Sequence, residues 1–196
     1  MKRIKCWSLL GLILALVSGC AATPAPTYYR LSGAASGDAH AQAAVVAARQ
    51  EPIGIWPVQL PDELQRAEIV SYSGSAEVLM SVRHMWAGSL QDNVDRALYS
   101  ALREQGEASF WRYPWDGHPP PKNQLRVRIQ QLGGALGQQV VLEAEWTLQQ
   151  VSVGSQRQPG RVRITEPVTE AGYSGYVQAI NRSITALAAA VAANLL

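Results

Sequence analysis

The chain has 196 residues, 17 basic and 15 acidic, with two cysteines and a formal net charge of +2. Lys2, Arg3 and Lys5 crowd the first five positions, and setting these three aside leaves 14 basic against 15 acidic residues, a net of −1. A body with no basic excess lacks the electrostatic footprint of a nucleic-acid binder. With its cysteines at positions 6 and 20, the rest of the chain also lacks thiols for a disulfide framework, a cysteine zinc site or a thiol nucleophile.

The amino end reads as an address. A basic start, an apolar run from Leu9 to Val17 and small residues before Cys20 form the layout of a secretory signal. The run falls well short of the roughly 20 apolar residues that cross a bilayer, which argues for a cleaved segment rather than a membrane span. Val17-Ser18-Gly19-Cys20 resembles a bacterial lipobox, which implies cleavage before Cys20 and acylation of its thiol. Each buried methylene contributes about 0.8 kcal/mol, so one acyl chain anchors marginally and two or more anchor stably. The expected organisation is a signal peptide over 1–19, a lipid-anchored tether over 20–27 containing the small, Pro-rich run Ala21 to Pro26, and a single domain over 28–196.

Within that domain, Tyr28 to Leu31 reads as a short strand, and the Ala-, Gly- and Ser-rich stretch to Gln50 reads mostly as loop. Ile53 to Val58 predicts a strand ending near Pro57, because proline cannot donate to a ladder. Glu68 to Tyr72 and Ala76 to Val82 flank Ser73-Gly74-Ser75 as a strand pair around a turn. From Ser89 to Gln105, Leu90, Val94, Leu98 and Leu102 form an apolar stripe at helical spacing. Ser89 with Asp92 marks the start of that helix, and Gly106 occupies the position of a C-terminal cap.

Ala108 to Tyr113 predicts another short strand, and Pro114 to Lys122 a proline-broken loop. Leu125, Val127 and Ile129 alternate with Arg126 and Arg128, while Leu142, Ala144, Trp146 and Leu148 alternate with Glu143 and Glu145. A hairpin register placing Arg126 opposite Glu145, Arg128 opposite Glu143 and Val127 opposite Ala144 satisfies both faces. Arg161 to Thr165 adds a third alternating strand. From about Tyr173, the spacing of Val177, Ile180, Ile184, Leu187 and Val191 predicts an amphipathic helix that packs on the sheet, in preference to a helix pairing between subunits. The order reads β-β-β, helix, β-β-β, helix. It points to an α+β fold, a mainly antiparallel sheet with two amphipathic helices packed on one face, with parallel pairing across the first helix left open.

The run from Ile53 to Leu64, the segment Ala67-Glu68-Ile69-Val70, the segment Trp86-Ala87-Gly88-Ser89-Leu90 before a helix, the later Val141 to Trp146 and the alanine-rich last helix carry a family resemblance. Together they resemble the PqiC/YmbA lipoproteins, the ABC-type transport auxiliary family, over most of the mature chain. That resemblance implies an outer-membrane lipoprotein facing the periplasm, a non-catalytic accessory working beside a mammalian-cell-entry (MCE) domain protein in lipid transport, in a homo-oligomer matching that protein's ring. Ala21 after Cys20 agrees with outer-membrane sorting, since an aspartate there favours inner-membrane retention.

The residues themselves offer little for catalysis. Gly172 to Tyr176 shares part of the nucleophile-elbow pattern, but Tyr176 stands where its last glycine belongs, and helix packing is the better account. Glu143 and Glu145 share a strand face in the manner of a hydrolytic carboxylate pair, yet ion pairs with Arg126 and Arg128 explain them more simply. His40, His84 and His118 show no metal-ligand spacing, and no glycine-rich phosphate cradle precedes a helix, so neither a metal nor another cofactor is expected. Among the tryptophans, Trp146 is assigned to the core by its alternation, whereas Trp56, Trp86 and Trp115 divide between core edge and partner surface. Trp56, Leu60, Pro61 and Trp86 are the candidate partner-binding residues. The competing reading is a lipoprotein that itself binds a lipid or small apolar ligand. A closed aliphatic pocket would favour that reading, and a filled interior with an exposed apolar patch would favour docking.

Overall fold

The computed structural model describes residues 24–33, 51–74, 77–105, 108–151 and 157–195. The signal segment, Val17, Ser18, Gly19 and Cys20, the first part of the tether, the loop reading of 34–50, Ser75 of the predicted turn and the Gly106 cap lie outside the described residues.

In chain order the described elements are β1 (Thr27–Tyr29), β2 (Ile53–Ile55), a 3-10 turn (Asp62–Leu64), β3 (Glu68–Ser73), β4 (Glu77–Trp86), α1 (Leu90–Glu104), β5 (Phe110–Arg112), β6 (Asn123–Gly133), β7 (Gln139–Gln150), β8 (Arg157–Pro167) and α2 (Gly172–Ala192). Each block before a helix therefore holds four described strands, in line with the four read singly from sequence and one more than the condensed order gave. They form a three-stranded sheet in the order β1-β4-β3 and a five-stranded sheet in the order β5-β2-β6-β7-β8.

The fold is α+β with two described helices, as expected, but its strands form two mixed sheets rather than one, so the expectation of a mainly antiparallel sheet holds only in part. β1 runs parallel to β4, and β2 runs parallel to both β5 and β6, while β3–β4, β6–β7 and β7–β8 are antiparallel. Parallel neighbours need a crossover of a dozen or more residues, and the connection through β3, β4 and α1 supplies it for β2. Pairing across the first helix is thus parallel.

The two long alternating strands pair as a hairpin, but in a register displaced by two residues from the charge-matched one. Arg126 lies opposite Thr147, Val127 opposite Trp146 and Arg128 opposite Glu145. A bulge between Ile129 and Gln131 then brings Gln131 opposite Glu143. A two-residue slip preserves which face each side chain occupies, so the buried row Leu125, Val127 and Ile129 is as expected. The charges find other partners: Glu143 pairs with Arg163 of β8, Arg126 lies over Trp56, and Arg128 bonds Gln59. Trp146 sits opposite Gly160, where a Cβ would collide with the indole, and this fit is compatible with the tryptophan's burial.

The helix ends follow the sequence signals where they are described. Ser89 caps α1 by accepting a hydrogen bond from the Asp92 amide at 3.0 Å, and Leu90, Val94, Leu98 and Leu102 are all buried. α2 buries Val177, Ile180, Ile184, Leu187 and Val191 and packs against α1, β7 and β8. Neither described helix is long and apolar enough to cross a membrane.

Tyr176, fully buried on α2, joins the two sheets. Its hydroxyl donates to the Val70 carbonyl of β3 and accepts from the Gly134 amide just after β6, each at 3.0 Å, while the Tyr72 amide donates to the Gly134 carbonyl. Burial raises the Tyr176 hydroxyl pKa far above the usual phenolic value, so the group stays neutral.

Candidate docking groove

The stretch after β2 runs beside β6 without being a strand itself. Trp56 donates its amide to the Leu125 carbonyl at 3.0 Å, Gln59 donates to Val127 at 3.0 Å, and Ile129 donates back to the Gln59 carbonyl at 2.9 Å. Pro57 has no amide to offer, and Val58 turns the other way. Its amide donates to the Asp95 carboxylate of α1 at 2.7 Å while its side chain enters the core. The segment is therefore pinned to β6 on one side and to α1 on the other. Burial pushes the Asp95 carboxyl up to about 6, against the opposing pull of the Val58 hydrogen bond.

Trp56 is half-buried and fixed on several sides. Its ring stacks on Tyr113 at 4.8 Å, meets the edge of Trp115 at 5.2 Å and carries the Arg126 guanidinium 4.3 Å from its centre. Its indole nitrogen donates to the Gln124 side chain at 2.9 Å. Gly54 leaves room for this cluster, since a Cβ there would lie 2.7 Å from the Trp115 ring. The indole is thus held in one orientation before any partner arrives, which lowers the ordering cost of binding.

Three adjoining open depressions follow from this geometry. The central groove, about 610 Å³, runs from Trp56 along Leu60 and Pro61 and is bordered by Arg126 and Arg128. A second, about 420 Å³, shares Trp56 and both arginines and continues to Glu145 and Thr147. A third, about 620 Å³, meets the central one at Gln65 and Gln91 and extends to Trp86, Arg66 and Asp92. Among the residues lining the central groove there are two arginines and no carboxylate.

The four residues singled out from sequence therefore come to one continuous surface, but on different terms. Trp56 and Pro61 are partly exposed along it, whereas Leu60 at 7% exposure and Trp86 at 3% are core residues that only edge the depressions. Trp115 belongs to the Trp56 cluster. Sequence reasoning missed Tyr113, Gln59, Arg126 and Arg128 as parts of this surface. The alternation along β6 marks the arginines as outward-facing, but only the path of residues 56–59 shows what they face.

Residues 29–192 match the model of a family described as ABC-type transport auxiliary lipoprotein components. This chain belongs to that family. Two solved structures share its fold: an uncharacterized protein at 16% identity and TM-score 0.66, covering 88% of this chain and 100% of its own, and a Xanthomonas campestris protein of the DUF330 family at 13% identity and TM-score 0.66, covering 85% and 92%. No curated protein matches the chain in sequence.

In this auxiliary component the other chemical candidates have structural partners. His84 hydrogen-bonds the Tyr29 hydroxyl at 3.0 Å and stacks on Tyr173 at 4.1 Å, and His118 lies against Trp111. The Gly172 to Tyr176 motif opens α2, with Tyr176 inside the core. Glu143 is engaged by Arg163, not by the arginines of β6 as expected. No group of three or more His, Cys, Asp or Glu among the described residues is placed to hold a metal ion. His40 lies outside the described residues.

Proposed function

We propose that this transport auxiliary component is a non-catalytic docking lipoprotein, anchored through Cys20 to the outer membrane and facing the periplasm, where it engages an MCE-domain protein of an intermembrane lipid transport system. Family membership supplies the link to ABC-type transport. The observation that carries the docking role is the open groove with a pre-oriented Trp56 and two arginines on its rim, whose own lining holds no carboxylate. Aromatic and arginine side chains held in place are the residue types that concentrate binding energy at interfaces. The described depressions are open and lined by mixed polar and apolar groups, which favours docking over enclosure of a lipid within a single chain.

A segment suited to this groove is extended and presents an apolar side chain to Trp56 and Pro61, with carbonyl or carboxylate oxygens toward Arg126 and Arg128. The test is affinity capture from envelope extract with the lipidated protein, under conditions that preserve a homo-oligomer, beside a Trp56→Ala/Arg128→Glu variant of unchanged circular dichroism. Recovery of an MCE-domain protein by the parent chain, reduced about tenfold or more in the variant, is the expected result for loss of a hot spot. Absence of any MCE-domain protein from the parent capture refutes the reading.

A further inference from the structure

β4 carries a second unusual surface, remote in character from the groove. Val78, Leu79, Met80 and Val82 are 41, 42, 51 and 87% exposed, so four apolar side chains on both faces of one strand meet solvent. The backbone there is open too. β3 pairs with Glu77 to Met80 along one edge, but β1 covers only His84 to Trp86 on the other, leaving that edge of residues 77–83 without a strand partner among the described residues. An exposed, apolar, half-paired strand is a liability that a protein retains only where something covers it.

Strand direction indicates what that is. Because β1 is parallel to β4, with Thr27 beside His84, the chain enters β1 from the side on which Val82, Met80 and Val78 lie. Cys20 precedes Thr27 by seven residues, and a chain of that length reaches at most about 25 Å. Val82 to Val78 extend roughly 7 to 20 Å from Thr27's partner in the same direction, at about 3.3 Å per residue. A surface holding acylated Cys20 is therefore within reach of the whole strip. Arg66, which contacts the Met80 sulfur, and Arg83 border the strip along with Glu77, a net of one positive charge, so apolar contact supplies most of the attraction.

We propose that the Val78–Val82 strip of β4 lies in the headgroup and acyl boundary of the membrane that holds Cys20, as a second contact fixing the orientation of the domain. The inference rests on acylation of Cys20. The strip does not enter the hydrocarbon interior, where the unpaired edge amides would be unsatisfied, but the interface supplies water and headgroup oxygens for them.

Hydrogen–deuterium exchange read by mass spectrometry tests this on the acylated chain in vesicles of phosphatidylethanolamine and phosphatidylglycerol, against the Cys20→Ser chain in buffer. A parallel arm couples the single thiol of unacylated residues 20–196 to a maleimide-headgroup lipid in the same vesicles, so the strip is tested whether or not cells acylate it. Exchange across residues 77–83 is expected to slow about fivefold or more on vesicles in both arms. A Met80→Glu/Val82→Glu variant should lose that protection while α1 and α2 exchange as before. Equal exchange on vesicles and in buffer overturns the proposal, as does protection in buffer that grows with protein concentration, which assigns the strip to a second copy of the chain. The mass of the peptide containing Cys20 reads acylation separately, so failure of the anchor and failure of the strip are told apart.

Discussion

Two side chains each tie distant parts of this chain together through a backbone amide, and they do so under opposite conditions. Tyr176 bridges the Val70 carbonyl and the Gly134 amide from a fully buried site with a neutral hydroxyl. Asp95 holds the Val58 amide from a half-buried site with an ionisable carboxyl that burial has raised to about 6. The first joint closes the two sheets onto α2 and is insensitive to ordinary pH. The second positions the groove segment and is sensitive to it. A structural joint is well served by a group that stays neutral, because the cost of burying a charge never arises. At the groove the carboxyl shares its neighbourhood with Asp92, Arg112, Arg96 and solvent, and its protonation changes near pH 6.

The larger effect belongs to the buried joint. Tyr176→Phe keeps the ring and removes the hydroxyl, leaving the Gly134 amide and the Val70 carbonyl without it as partner. Unsatisfied buried polar groups cost about 1–3 kcal/mol, which at about 2–4 °C per kcal/mol for a domain of this size lowers Tm by roughly 2–12 °C. Thermal unfolding followed by circular dichroism checks this. An unchanged Tm would mean that the hydroxyl does not join the sheets.

How far each joint was legible from sequence differs for a physical reason. Elements set by local periodicity came through: the apolar stripes of α1 and α2, the Ser89 cap and the alternating faces of β6 and β7 are all where the pattern put them. The hairpin register did not, because charge matching within β6 and β7 takes no account of β8, Trp56 and Gln59, which claim those charges from outside the hairpin. Asn93 is similar. It stands within the buried face of α1 because its side chain accepts from the Leu31 amide and donates to the Ser89 carbonyl, partners that spacing along one helix does not reveal. The groove was half legible: Trp56 and Pro61 stood out as residue types, whereas the two arginines acquire their place only when residues 56–59 run alongside β6, and Tyr113 only when β5 pairs with β2.

A smaller, pH-dependent effect separates the two joints. The Asp95 carboxyl binds its proton more tightly in the folded chain, about 6 against an ordinary 3.8, so its contribution to stability is fully present below the lower value and is lost as pH rises through the upper one. Asp95→Asn keeps an acceptor for Val58 and removes the titration. The nominal two-unit shift corresponds to about 3 kcal/mol, and screening at this partly exposed site reduces the expected swing to about 1 kcal/mol. Urea midpoints of parent and variant from pH 4 to 8 should therefore move in the variant's favour with rising pH. A constant difference across that range would show that Asp95 does not titrate between folded and unfolded states.

The smallest effect on stability is expected at the groove rim, where it tests whether Arg126 matters as a charge or as a plane. Arg126→Lys retains the cation and loses the flat guanidinium that lies over Trp56, whereas Arg126→Gln loses both. An exposed cation–π contact contributes about 0.5–1 kcal/mol, so the glutamine variant should unfold roughly 1–4 °C lower, with the lysine variant between it and the parent. If the groove docks a partner as proposed, capture should fall in the same order, because the same guanidinium lies over the indole. If lysine matches the parent in both measurements, charge alone is needed at the rim. If both variants retain parent stability and parent capture, Trp56 is held by Tyr113, Trp115 and Gln124 without help, and the groove's positive edge resides in Arg128.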